Sequence, residues 1–193
     1  MPVSESERFA MKFPSEESAP APQTTTGASG AKGESGDIHI GSAEIASFQK
    51  ALTGWFRSCG RDYPWRRTRD PYAILVSEAM LQQTRIATVV ERGYFTRWIA
   101  AFPGWRELAS ADEEQVLKLW EGLGYYNRAR NLQKAAVTVV RDHGGELPAR
   151  LDAILSLPGV GRYTAGAVLS FAFNKRAAIV DGSVSRVFSR LFA

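Results

Sequence analysis

An all-α domain over residues 44–193, preceded by a low-complexity tail over 1–43, is what this sequence predicts. Three observations carry the prediction. Apolar residues recur at helical spacing from Ser42 onward, capping and breaking residues bracket those runs, and no segment sustains the period-2 alternation of a strand. A length of 193 residues suits one domain or a little more. The tail is rich in Ser, Thr, Gly, Ala and Pro, with scattered large apolar residues such as Phe9, Phe13, Ile38 and Ile40. Such a segment buries too little to offset the entropy of ordering it, so it is expected to be disordered.

Each helix has its own local cause. Ile45, Phe48, Leu52, Trp55 and Phe56 form one apolar stripe, and Gly60 ends that helix. Asp70-Pro71 is a start signal, with Asp70 as N-cap and Pro71 at the first helical position, and the helix runs to about Gln83. A single helix is expected from Thr84 or Arg85 to just before Pro103, carrying Ile86, Val89, Val90, Tyr94 and Trp98. Ser110 and Glu113 read as a capping box ahead of Val116, Leu117 and Trp120, and Gly122 closes that helix. A longer helix spans about Tyr125 to Asp142 before Gly144-Gly145, and a short one covers Leu151 to Ser156. Pro158-Gly159-Val160-Gly161 then precedes a helix from Arg162 to Phe173. An extended Ile179-Val180 follows, and a last helix opens at Asp181. The total is about seven or eight short helices, with no internal repeat.

Composition excludes several classes. No apolar run approaches the roughly 18–20 residues of a membrane-spanning helix. The N-terminus has no apolar core with a small-residue cleavage site, and it is too rich in glutamate for a transit peptide. One cysteine, Cys59, rules out an internal disulfide or a cysteine-cluster metal site from this chain alone. The net charge of +4 divides unevenly: −3 over the tail and +7 over 44–193, where 17 of 21 basic residues are arginine and all five tryptophans lie. A polyphosphate partner would select such a domain, although a solvated basic surface carries the same charge.

Three features can carry chemistry. In Leu157-Pro158-Gly159-Val160-Gly161, two glycines around one apolar residue allow a tight turn and let backbone N–H groups approach an anion at the next helix's N-terminus. Val160 is placed to plug between the flanking helices, while Thr164, Ala165 and Ala167 keep the second one slim. This is a helix-hairpin-helix pattern, whose target is the DNA backbone rather than base sequence. Glu78 lies in a helix apolar on nearly every side, with Ile74, Leu75, Leu81 and Gln82 three and four positions away. Desolvation there raises a carboxyl pKa towards what a general acid needs, while pairing with a distant arginine is the competing reading. Asp181 is first of all an N-cap, and on its position alone that reading outranks a carboxylate facing Glu78 across a cleft. Tyr63-Pro64-Trp65-Arg66, Gln82-Gln83-Thr84 and Gly122-Leu123-Gly124-Tyr125-Tyr126 are each explicable as packing. Together they supply the wedges and the pocket that base extrusion requires. His39 and His143 receive no role.

Taken in order, Ser77-Glu78-Ala79-Met80-Leu81-Gln82-Gln83-Thr84, Gly122 to Tyr126, Leu157 to Gly161 and Val180-Asp181-Gly182 resemble the adenine DNA glycosylases (the MutY family) of the helix-hairpin-helix glycosylase superfamily. The resemblance covers roughly 44–193 and implies the HhH-GPD glycosylase fold, incomplete at its C-terminus. It implies hydrolysis of the N-glycosidic bond of adenine mispaired with 8-oxoguanine or guanine in double-stranded DNA. Under it, Glu78 is the general acid that protonates the leaving adenine, and Asp181 stabilises the oxocarbenium-like sugar, which lifts the carboxylate above the mere cap. Tyr163 takes the active-site tyrosine position, where bifunctional endonuclease III relatives place a Schiff-base lysine. A monofunctional enzyme without a lyase step is therefore expected. Gly159, Val160, Gly161, Gln83, Tyr125 and Ser183 are the implied DNA contacts, with Gln83 and Tyr125 as wedges. Trp65 and Arg66 edge the adenine pocket. The enzyme is expected to be an intracellular monomer with no membrane partner.

Two departures from the family pattern bear on activity. Asparagine usually follows Asp-Gly, and Ser183 offers one shorter hydroxyl instead, which implies a slower enzyme. The sequence also ends at Ala193, before the four cysteines that hold the family's 4Fe-4S cluster and before the C-terminal domain that helps recognise 8-oxoguanine. The resemblance thus implies an N-terminal catalytic part that binds no cluster, whose residues 43–58 lack a packing partner and whose stability and activity alone are low. A thymine or uracil mismatch glycosylase, which shares Tyr-Pro-Trp-Arg and the hairpin, is the alternative within the superfamily. A non-catalytic DNA-binding module is the alternative outside it.

Overall fold

The computed structural model describes residues 41–191. The expected 1–43 tail lies outside the described residues apart from its last three. The chain divides into two compact units, Met1–Cys59 and Gly60–Ala193. The described part of the first is α1 (Ser42–Cys59). Its stripe is helical as the spacing predicts, and Ile45, Phe48, Leu52 and Trp55 are exposed.

In the second unit the described residues are helical, without strands. They comprise a 3-10 turn (Pro64–Arg66), α2 (Pro71–Leu81), α3 (Ile86–Glu91), α4 (Tyr94–Ala101), α5 (Trp105–Ser110), α6 (Glu113–Trp120), α7 (Asn127–His143), α8 (Leu151–Leu155), α9 (Arg162–Phe171) and α10 (Gly182–Leu191). The all-α prediction holds. Helix α2 is the central element, packing against α4, α7 and α9. Asp70 starts it, accepting a 3.0 Å hydrogen bond from the Tyr72 backbone N–H. Tyr72 through Ser77, Ala79 and Met80 are all buried, so this helix is held by its surroundings on every side. Each large apolar side chain among them contributes roughly 1.5–3 kcal/mol by leaving water.

An aromatic cluster anchors α2 to the rest. The Trp98 ring meets Phe102 and Trp120 edge-on at 5.2 and 5.3 Å, and Trp105 meets Tyr72 at 5.0 Å. Tyr72 donates to the Phe102 carbonyl at 2.8 Å and accepts from Trp98 Nε1 at 3.1 Å, so both buried polar handles are satisfied.

Three local readings need correction. The described residues hold ten α-helices rather than seven or eight, and α5 (Trp105–Ser110) is one that the apolar spacing did not mark. The single helix expected over 84–102 is two, α3 and α4, because Gly93 adopts φ 63 and breaks it. Ser110 is no N-cap. It ends α5, its hydroxyl donating to the Arg106 and Glu107 carbonyls at 2.9 and 3.2 Å, and Asp112 takes the N-cap position of α6.

Candidate active site

Glu78 sits on α2 between buried Ser77 and Ala79 and is itself mostly buried. Burial among apolar neighbours pushes its carboxyl up from an ordinary 4.5 to about 7. A hydrogen bond from Tyr163 opposes that rise, and the charge of Asp181 adds to it. Three residues separated by up to 103 positions thus interact electrostatically, and the competing arginine-pair reading of Glu78 gains no support. The Tyr163 phenol is raised in turn by burial and by the two carboxylates.

Helix α9 carries Tyr163 in its first turn and packs directly on α2. Asp181 arrives by a different route. The extended segment before it crosses α9 at Gly166, where a Cβ would lie 2.2 Å from the Ala178 carbonyl oxygen. Only glycine permits that approach. Asp181 then caps α10, its Oδ1 accepting from the Val184 N–H at 2.7 Å. Capping and proximity to Glu78 are therefore one arrangement, because the cap fixes where the carboxylate points. Gly166 is a positioning residue the sequence reading missed. A glycine inside an otherwise good helix was its signal.

The hairpin joins α8 to α9, closed by a 3.1 Å hydrogen bond from Val160 N–H to the Leu157 carbonyl. Val160 is half-buried against the core, as a plug should be. Its two glycines differ. Gly159 has φ 76, and a Cβ there would meet Asn131 at 2.8 Å, so it serves the fold. Gly161 has φ −93 with open space around its Cβ position, at the start of a helix with no side-chain cap. The first-turn N–H groups of α9 are left for an outside acceptor.

Gln83 and Tyr125 share an unusual backbone. Among the described residues only they and Asn174 are non-glycine residues with positive φ, at 57, 49 and 52. Such conformations cost on the order of 1 kcal/mol or more and persist only when their surroundings hold them. Both side chains are exposed, flanking a cleft of about 600 Å³ that Tyr126, Asn127, Arg128 and Asn131 also line. Arg128 lies beneath. Its Nη1 donates to the carbonyls of Ala79, Met80 and Gln82 at 2.9, 3.2 and 2.6 Å. Its Nη2 donates to those of Leu123 and Gly124 at 3.0 and 3.1 Å and to the Thr84 hydroxyl at 3.3 Å. Burial lowers the guanidinium pKa from its ordinary value. The sequence reading missed Arg128 too, although an arginine in the first turn of a helix, against the helix dipole, is locally unfavourable.

The remaining candidates are placed less tellingly. The Trp65–Arg66 turn packs on α2, but the Trp65 ring is stacked on Tyr63 at 5.2 Å and edges Phe95 at 5.5 Å. Arg66 donates to the Arg61 carbonyl at 2.7 Å and lies over the Tyr63 ring. Ser183 is exposed in the first turn of α10. A 4Fe-4S cluster does not fit the residues present. It needs four thiolates, and the sequence holds only the exposed Cys59. Among the described residues no group of three or more His, Cys, Asp or Glu gathers to hold a metal. No described helix is long and apolar enough to cross a membrane.

A buried carboxyl near neutral pKa, a capped second carboxylate, an anion-ready hairpin and two strained exposed turns now meet in one helical unit. The profile of the HhH-GPD superfamily base excision DNA repair proteins matches residues 76–193, and the chain belongs to that family. Within it the sequence is similar to adenine DNA glycosylases. The human relative is 46% identical over 160 residues, covering 78% of this chain and 29% of its own. That of Buchnera aphidicola subsp. Baizongia pistaciae is 40% identical over 147 residues, covering 76% and 41%. The chain therefore spans about a third of the length of the curated relatives it matches. Among solved structures, a thermostable thymine-DNA glycosylase superposes with a TM-score of 0.69 at 35% identity, covering 74% of this chain and 65% of that one. A trapped endonuclease III–DNA covalent intermediate gives 0.67 at 27% identity, covering 79% and 70%.

Proposed function

We propose that this chain carries the N-terminal catalytic part of an adenine-specific, monofunctional DNA glycosylase acting inside the cell on adenine opposite 8-oxoguanine or guanine. The single observation that carries the reading is Glu78: a mostly buried carboxyl with a pKa of about 7, beside Tyr163 and Asp181. At neutral pH a large share of such a group is protonated and able to donate, which an ordinary glutamate is not. In the proposed reaction Glu78 gives its proton to the adenine as the bond to C1′ breaks, the bonding pair leaving on the base. The Asp181 carboxylate offsets the positive charge that develops on the sugar. Water then adds to C1′, and its proton returns to the Glu78 carboxylate. Tyr163 stands in the hairpin helix where a lysine would form a Schiff base, so no strand cleavage follows. The N-terminal end of α9 takes the backbone phosphate, while Gln83 and Tyr125 fill the gap left by the extruded base.

The test is single-turnover adenine release from an A:8-oxoguanine duplex, by this chain and by a longer version that includes the four cysteines. Release with base specificity for adenine supports the reading, and release of thymine or uracil from a G mispair would replace it. That second reading is favoured by one observation, the likeness to a thymine-DNA glycosylase structure. Salt-sensitive duplex binding without release of any base would leave a DNA-binding module.

A further inference from the structure

We propose that Arg128 is a positioning residue that locks the two wedge-bearing turns, Gln82-Gln83-Thr84 and Leu123-Gly124-Tyr125, into one rigid jaw. The inference rests on the reading of Gln83 and Tyr125 as wedges and goes beyond it. The carbonyls that Arg128 holds are not arbitrary. Gln82 and Gly124 immediately precede the two left-handed residues, so the guanidinium fixes the peptide plane on the N-terminal side of each. Its other carbonyl acceptors, on Ala79, Met80 and Leu123, are the nearby ends of the same two segments.

The arrangement answers a physical problem. A wedge must stand exposed, so it cannot be held by burial, yet it must not yield when driven into stacked bases. Helix α2 ends without a glycine at the left-handed position that usually terminates a helix, and its last carbonyls need a donor. A planar guanidinium with several donors in fixed directions supplies both turns at once, and an ammonium on a flexible stem does not. The Arg128 guanidinium also lies over the Trp120 and Tyr125 rings, at 5.3 and 5.5 Å, which ties the jaw to the aromatic core. Buried Nε, without a hydrogen-bond partner, shows how far geometry has been set by the two terminal nitrogens.

The test compares the chain with its Arg128→Lys variant by hydrogen exchange and by base release. Exchange at the amides of Thr84 and Leu123 is expected to rise about tenfold or more in both turns together, with residues 73–77 of α2 unchanged. Acceleration in one turn alone, or throughout the unit, overturns the proposal. Adenine release from an A:G duplex is expected to slow about tenfold or more, while release from a bulged, unpaired adenine, which needs little extrusion, stays within about threefold. Equal loss on both substrates overturns it, since a merely structural defect would act on both. If wild type releases no adenine, the glycosylase reading fails and the exchange experiment still decides the clamp. Should Arg128→Lys not fold, exchange in the wild-type protein decides: the amides of Thr84 and Leu123, which donate to the Leu81 and Trp120 carbonyls, are expected to open together with one urea dependence, because one guanidinium holds both turns. Independent opening of the two turns would overturn the clamp.

Discussion

The carboxylate site and the two left-handed turns are held in opposite ways. Glu78 needs to be dry, so α2 buries it and lets packing hold it in place. Gln83, five residues further on, is exposed: α2 stops, the backbone turns left-handed, and polar contacts replace packing. The lesson is that rigidity has two sources in one small unit. Where a group's pKa must shift, apolar surroundings supply both the shift and the stiffness. Where a group must meet a partner, a polar clamp supplies stiffness without cover.

The largest expected effect breaks the first half of that contrast. Glu78→Gln is expected to slow adenine release about a thousandfold while leaving duplex affinity within about twofold. Retained activity would remove Glu78 from the chemistry. The same residue sets a pH profile of known sign. Its folded-state pKa of about 7 lies above the ordinary 4.5, so from pH 4.5 to 7 the folded state keeps a proton that the unfolded chain has lost. Stability therefore falls as pH rises through that window, by on the order of 3 kcal/mol as an upper bound, and the Gln variant lacks the slope. Single-turnover release should likewise decline above about pH 7, as the acid ionises. Urea denaturation of both proteins at pH 5 and pH 7.5 checks the first statement, and release rates across that range check the second.

Next comes the joint that brings Asp181 to Glu78. Gly166→Ala forces a methyl against the Ala178 carbonyl, so the segment must move away from α9 and carry Asp181 with it. Destabilisation of about 1–3 kcal/mol is expected. A loss of release rate of about a hundredfold should accompany it, because small displacements of reacting groups are costly. Full activity in a folded Gly166→Ala protein would show that Asp181 is not held by this crossing.

Much of this was legible in the sequence, and the exceptions share a cause. Helical spacing, the Asp70-Pro71 start and the hairpin glycines are local signals, and each placed its element correctly. Val90, Tyr94 and Trp98 kept a helical spacing across Gly93, so periodicity hid a break that the backbone of one residue makes. Ser110 matched a capping box by spacing, yet its hydroxyl turned back into its own helix. Arg128 and Gly166 escaped for a stronger reason. Four of the six acceptors of Arg128 lie 44–49 residues away, the carbonyl that requires Gly166 lies 12 residues away, and neither signal is periodic. Glu78 was legible as a desolvated carboxyl, but its juxtaposition with Tyr163 and Asp181 depends on how α2 and α9 pack.

A smaller effect sharpens the contrast within the hairpin. Gly159→Ala places a Cβ 2.8 Å from Asn131 at positive φ and is expected to cost about 1–3 kcal/mol of stability. Gly161→Ala meets nothing in the folded chain, so its melting temperature should barely change. Its methyl stands instead where a phosphate would approach α9. Duplex affinity should drop severalfold, with the salt dependence reduced by up to about one contact's worth. Equal behaviour of the two variants would mean that the hairpin is only a connector.

The smallest expected effect concerns Ser183, and it tests whether the first turn of α10 is more than a cap. Asp181 already satisfies the Val184 N–H, so residue 183 has no capping duty to perform. Its exposed side chain on the same turn is free to address the sugar or a water beside it. An asparagine there would present a longer amide, with both donor and acceptor, in place of one hydroxyl. Ser183→Asn is therefore expected to raise the single-turnover rate a few-fold, of the size one added hydrogen bond supplies, with stability unchanged. An unchanged rate would confine the work of this turn to the Asp181 carboxylate alone.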